Sequence, residues 1–189
     1  MRVQMVFRRV AAVVACAVAL AAAPAAAADQ PLNIVALGDS LTAGYGLANQ
    51  EAFPAKLQQA LAAKGIAATV SNAGVSGDTM SGGLARLDWS VPPDTDAVIL
   101  ELGANDALRG VDPAVTRRAL DAILAALARR NIPVLLCGML APRNMGADYA
   151  HAFDPMYPEL AKSYGTVLYP FYLDAVSYTH LTLPTTERV

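Results

Sequence analysis

Residues 32–46 read LNIVALGDSLTAGYG. Ile34–Leu37 is apolar at successive positions, and the run breaks at Gly38 into a polar turn that carries Asp39 and Ser40. A strand that is apolar on both faces has to be covered on both, which is the situation of a parallel sheet between two layers of helix. Strand-like runs recur at Ala67–Asn72, Ala97–Leu102, Pro133–Gly138 and Thr166–Phe171.

The segments between them carry a helical period. Across Glu51–Lys64, Phe53, Leu57 and Leu61 share one face, and Gly65 supplies a stop. Asp112-Pro113 caps and starts another helix, with Leu120, Ile123, Leu124 and Leu127 as its stripe; it ends at Arg129-Arg130-Asn131, ahead of Pro133. A last helix starts at Asp154-Pro155 and is expected to bury Tyr157, Leu160, Ala161 and Tyr164. Right-handed crossovers between such strands give a three-layer α/β/α domain. No internal repeat, linker or second domain is visible. Ligands of such sheets bind beyond the carboxyl ends of the strands, so the loops after Leu37, Asn72, Leu102 and Gly138 are the places to look.

Both flanks differ in character from this middle. Arg2, Arg8 and Arg9, the apolar Val10–Ala23 and the small residues Ala26-Ala27-Ala28 form the layout of a secretory signal peptide over residues 1–28, with cleavage before Asp29. Reading VVAC as a lipobox with Cys16 lipidated fits less well, because the apolar stretch continues past the cysteine. Cleavage leaves 161 residues and takes the formal net charge from −2 to −5, three arginines leaving with the leader. A mildly acidic chain without basic clusters argues against nucleic acid as a partner. Cys137 alone survives, inside VLLCGML, and is expected to be a buried free thiol.

Three of the four loops carry matching polar groups: Gly38-Asp39-Ser40-Leu41, then NAGVSGDT with Gly74 and Gly77, then Gly103-Ala104-Asn105-Asp106. A serine at a strand-to-helix turn can present its hydroxyl near backbone N–H groups. A glycine N–H and an asparagine amide from neighbouring loops could converge on the same point. Those are the parts of an oxyanion hole, whose donors bind charge that develops in the transition state. Singly, each has a plainer reading: Ser40 as a helix cap, SGDT as a loop, Asn105 as a turn residue. Their order after consecutive strands argues for a site. The turn is not a G-x-S-x-G elbow, since Thr42 stands in place of the second glycine.

The blocks LGDSLTAGYG, SNAGVSGDTMSGGLARL, ELGANDALRG and YPELAKSYG together resemble the SGNH, or GDSL, hydrolases, and within them the periplasmic thioesterase I/lysophospholipase/arylesterase group. The resemblance covers Leu32 to Val176. It implies a flavodoxin-like sheet of five parallel strands, Ser40 as nucleophile, and the Ser40 and Gly77 backbone N–H groups with the Asn105 side chain as oxyanion donors. It implies neither a metal nor an organic cofactor. The partner it implies is a small acyl ester or thioester; acyl-CoA, lysophospholipid, aryl ester and short acyl ester all suit, and no stable membrane anchor is expected. Oligomeric state is open.

A serine nucleophile needs a base, usually a histidine oriented by a carboxylate. The family supplies both from a C-terminal Asp-x-x-His. Here His151 lies in a polar stretch and is expected to be solvated; His180 has Ser177 three residues before it, and Asp174 is six residues away. Val176 to Thr185 match the translation of a transposon-end sequencing adapter, so residues 176–189 are read as a foreign tail on an incomplete domain of residues 29–175. Rival readings are a non-catalytic binding module that kept the pocket, a nucleotide-binding flavodoxin-like domain, which lacks a phosphate-cradling glycine pattern, and paired-carboxylate chemistry by Asp39 and Asp106.

Overall fold

The computed structural model describes residues 30–174; the expected leader and the tail from Val176 lie outside the described residues. In chain order the elements are β1 (Leu32–Gly38), α1 (Ser40–Ala43), α2 (Phe53–Ala63), β2 (Ala68–Gly74), α3 (Met80–Ala85) and α4 (Leu87–Ser90). They continue as β3 (Ala97–Glu101), α5 (Ala104–Leu108), α6 (Pro113–Arg129), β4 (Val134–Cys137), α7 (Ala147–Phe153), α8 (Met156–Tyr164) and β5 (Val167–Tyr169). All strand pairs are parallel, in the order β2-β1-β3-β4-β5. From β1 the chain steps outward to β2, then returns past β1 and builds β3, β4 and β5 on the other side. The order therefore reverses between β1 and β3, the switch point at which sheets of this kind open a crevice.

Successive side chains of a strand point to opposite faces. On one face Val35, Leu37, Val98, Leu100 and Leu136 meet Leu120, Ile123, Leu124 and Leu127 of α6, together with Phe153, Met156 and Tyr157. On the other, Ala36, Val70, Ile99 and Cys137 meet Phe53, Leu57 and Leu61 of α2. Right-handed crossovers put α2 on the face opposite α6 and α8, because the chain moves across the sheet in opposite directions in the two halves. The α2 face over β3–β5 consequently carries an apolar groove of about 510 Å³, lined by Ile99, Leu135, Cys137, Tyr169 and Tyr172 with Phe53 and Leu57 at its edge. Cys137 is a buried free thiol there. Burial pushes the thiol up to about 12, with the nearby Glu101 carboxyl adding to the effect.

Several boundaries differ from the sequence expectation. Instead of one helix over Glu51–Lys64, a 3-10 turn at Asn49–Glu51 precedes α2. A helix begun at Glu51 would make Pro54 its first intrahelical donor, and proline has no N–H to give. β2 runs on to Gly74, where it still pairs with Gly38. β5 is shorter than Thr166–Phe171, since the Thr166 N–H closes α8 on Ala161 O. Tyr164 is half-buried rather than buried, its hydroxyl donating to Asp121 Oδ1 at 2.7 Å. The apolar-on-both-faces reading holds for β1, β3 and β4; the edge strands are more open, β2 exposing Thr69, Ser71 and Asn72 and β5 exposing Val167 and Tyr169.

Candidate active site

At the carboxyl end of β1 the backbone lies flat against its neighbours: a Cβ on Gly38 would sit 2.0 Å from Thr42 Oγ1 and 2.7 Å from the Glu101 carbonyl oxygen. Asp39 follows, fully buried. Its Oδ1 accepts the Leu41 N–H at 2.9 Å, and its Oδ2 accepts the Asn105 side-chain amide, also at 2.9 Å. Asp39, then, is the cap of α1. Ser40, the first residue of the helix, is half-buried, and its hydroxyl has no hydrogen-bond partner among the described residues. The cap reading of Ser40 is thereby removed.

Beneath the turn lies Glu101, the last residue of β3 and fully buried. Its Oε2 accepts the Thr42 hydroxyl at 2.8 Å and faces the Asp39 N–H at 3.4 Å, while Oε1 has no partner. Burial pushes the Glu101 carboxyl up to about 8, with the Asp39 charge as the second cause. Asp39 is also raised by burial, but its bonds from Leu41 N–H and Asn105 oppose the rise. The pair is best described as an ionised Asp39 above a neutral Glu101, because Asp39 alone has donors on both oxygens.

The loop after β2 is drawn to the same place. Val75 N–H donates to Gly38 O at 3.0 Å, the carbonyl just before Asp39. Gly77 adopts φ +83°, a left-handed conformation that suits glycine. Its carbonyl accepts from Arg109 Nη2 at 2.8 Å, and Arg109 closes α5, the helix that carries Asn105. The loop after β3 turns at Gly103, and Asp106 anchors it: one oxygen accepts the Met80 N–H (2.9 Å), the other the Thr116 hydroxyl (3.0 Å). Both Asp39 and Asp106 spend both oxygens on structure, which leaves the paired-carboxylate reading without a reactive pair.

Ser40, Gly77 and Asn105 thus stand on the loops of three adjacent strands, tied through Asp39, Gly38 O and Arg109. His151 sits exposed on α7, as expected; His180 and Ser177 lie outside the described residues. Two residues that shape the site escaped the reading of the sequence. Glu101 could have been found as a carboxylate inside AVILEL, where a buried strand admits no solvated charge; Arg86, buried below the Gly77 loop, had no such signal.

Comparison with known proteins identifies the family and the fold. Residues 36–187 match the GDSL-like lipase/acylhydrolase family. An arylesterase of Vibrio mimicus is 38% identical over 152 residues, covering 80% of this chain and 76% of that protein. The thioesterase 1/protease 1/lysophospholipase L1 of Escherichia coli (strain K12) is 40% identical over 153 residues, covering 80% and 71%. The crystal structure of AlinE4, an SGNH-hydrolase family esterase, superposes with a TM-score of 0.77 at 48% identity, over 85% of this chain and 86% of that one. With its three-layer parallel α/β fold and its GDSL turn at the switch point, the chain belongs to the GDSL/SGNH lipase–acylhydrolase family.

Proposed function

We propose that this domain hydrolyses esters or thioesters with Ser40 as the nucleophile. The observation that carries this reading is the Asn105 amide anchored on Asp39 Oδ2 at 2.9 Å. It sets an amide donor beside a serine whose hydroxyl is spared from capping. Attack of Ser40 Oγ on an acyl carbonyl forms a tetrahedral intermediate. Its oxyanion is stabilised by the backbone N–H groups of Ser40 and Gly77 and by the Asn105 N–H that Asp39 does not use. Collapse expels the alcohol or thiol, and water then releases the acyl group. The substrates are acyl esters or thioesters of the kinds named in the relatives: aryl esters, acyl thioesters or lysophospholipids.

The Ser40 proton needs an acceptor. Among the described residues His151 is the sole histidine, and it is exposed on α7. The acid–base pair is therefore sought outside the described residues, and on the reading of residues 176–189 as a foreign tail it would come from the native 3′ sequence. The family match runs across that segment to residue 187, so the native 3′ sequence is the deciding observation. Residues 1–28 serve as a leader to the periplasm or the exterior; among the described residues no helix is long and apolar enough to cross a membrane. In the gene completed at its 3′ end, a serine-reactive phosphonate should label the parent and not Ser40→Ala. Labelling of Ser40→Ala would move the nucleophile elsewhere.

A further inference from the structure

We propose that Arg86 is a positioning residue of this site, a single guanidinium that sets the Gly77 loop against the Ser40 turn; this rests on the reading of Ser40 and Gly77 given above. Arg86 ends α3 and is 7% exposed. Its Nε donates to Asp78 Oδ2 at 2.7 Å, Nη2 to Gly38 O at 2.9 Å, and Nη1 to Ala73 O at 2.8 Å and Ser90 Oγ at 3.1 Å. Gly38 immediately precedes the Asp39-Ser40 turn, Ala73 lies at the end of β2, and Asp78 follows Gly77 directly. The guanidinium thus grips the chain on both sides of the gap between the nucleophile and an oxyanion donor.

Stability alone is a poor account of this residue. A buried ion pair gives back much of its attraction as desolvation, and apolar side chains of similar volume often do as well. The planar fork offers fixed direction: its donors point along set lines to two carbonyls and a carboxylate at once. A lysine could neutralise Asp78, but its single nitrogen cannot reach those groups together. Reaction rates are steep in such placements, because a displacement of about 1 Å can cost roughly 100-fold. Arg109, which holds Gly77 O from the other side, is exposed and competes with water for its bond.

The test compares the 189-residue parent with Arg86→Lys and Asp78→Asn, the lysine keeping the buried charge paired so that the chain folds. Hydrogen exchange is read at the Val75 and Asp78 amides, which donate to Gly38 O and Val75 O at 3.0 Å. Arg86→Lys should speed exchange there at least tenfold while amides of β4 and α6 keep their parent rates. Asp78→Asn should loosen the same amides less, and the double variant should fall short of the product of the two effects. In the gene completed at its 3′ end, Arg86→Lys should lower kcat at least tenfold with KM within about twofold. Unchanged loop amides, a uniform rise across the sheet, or a loosened loop with parental kcat would each overturn the proposal. Full activity in Ser40→Ala would instead sink the reading of Ser40, and the exchange result would stand apart from it.

Discussion

Glu101 supports the Ser40 turn with one oxygen and leaves the other without a partner. Its carboxyl titrates near 8 in the fold against an ordinary value of 4.5, so the neutral form stabilises the protein fully below about pH 4.5. That contribution is lost as pH rises through about 8. Glu101→Gln keeps the shape without the titration. Urea titrations at pH 5 and pH 8.5 should show the parent losing more stability than the variant, by on the order of a few kcal/mol. Parallel losses would mean that Glu101 does not carry the dependence. Asn105→Ala, in the completed gene, should lower kcat by on the order of 10²–10³ and change KM less, since on the proposed mechanism the amide binds charge that appears only during reaction; a near-normal kcat would remove Asn105 from the mechanism. Ser40, Gly77 and Asn105 could be picked out as candidates because each is polar or small in a loop that follows a strand-like run, and the structure sets those loops on three adjacent strands. Glu101 and Arg86 were not picked out, because the bonds that matter to the turn cross the chain, Glu101 to the Asp39 N–H 62 positions away and Arg86 to Gly38 O 48 positions away.

Helices α3, α5 and α6 meet at one carboxylate. Asp106 takes the Met80 N–H from the start of α3 and the Thr116 hydroxyl from the first turn of α6, and Thr116 is itself fully buried. Thr116→Val preserves volume and strands a buried carboxylate oxygen, at a cost of about 1–3 kcal/mol. Chemical denaturation should show that loss; an unchanged midpoint would mean that water replaces the hydroxyl. The long helices were legible for a simple reason: α6 repeats its apolar stripe over 17 residues and opens on Asp112, whose side chain accepts the Ala114 N–H at 2.8 Å. By contrast, α3, α4, α5 and α7 have four to seven residues each, too few to show a period. Glycines within α3 and the turn formers before it point to a loop, and tertiary bonds such as Met80 N–H to Asp106 overrule that preference.

At the apolar groove beside β4 and β5 the sheet departs from full cover. Val167 and Tyr169 on the edge strand are 68% and 42% exposed, and the groove opens beside them. Apolar surface of this extent promotes association, so the 189-residue chain should self-associate as concentration rises in sedimentation velocity, and the completed gene product should not. Equal behaviour of the two would show that the native continuation leaves the groove open. Ester hydrolysis by the 189-residue chain should stay near background and be indifferent to His180→Ala. Strong hydrolysis abolished by that change would make the tail genuine. The strand order also divides the labour of the domain. Every group that would recognise the oxyanion comes from the first 105 residues, on the loops of β1, β2 and β3. On the proposed mechanism, the first part of the chain holds a receptor for the transition state, and proton transfer is a separate delivery. If that mechanism holds, a base can be offered from solution: added imidazole, small enough to reach the half-buried Ser40, should raise turnover in the 189-residue chain above the level it gives with Ser40→Ala.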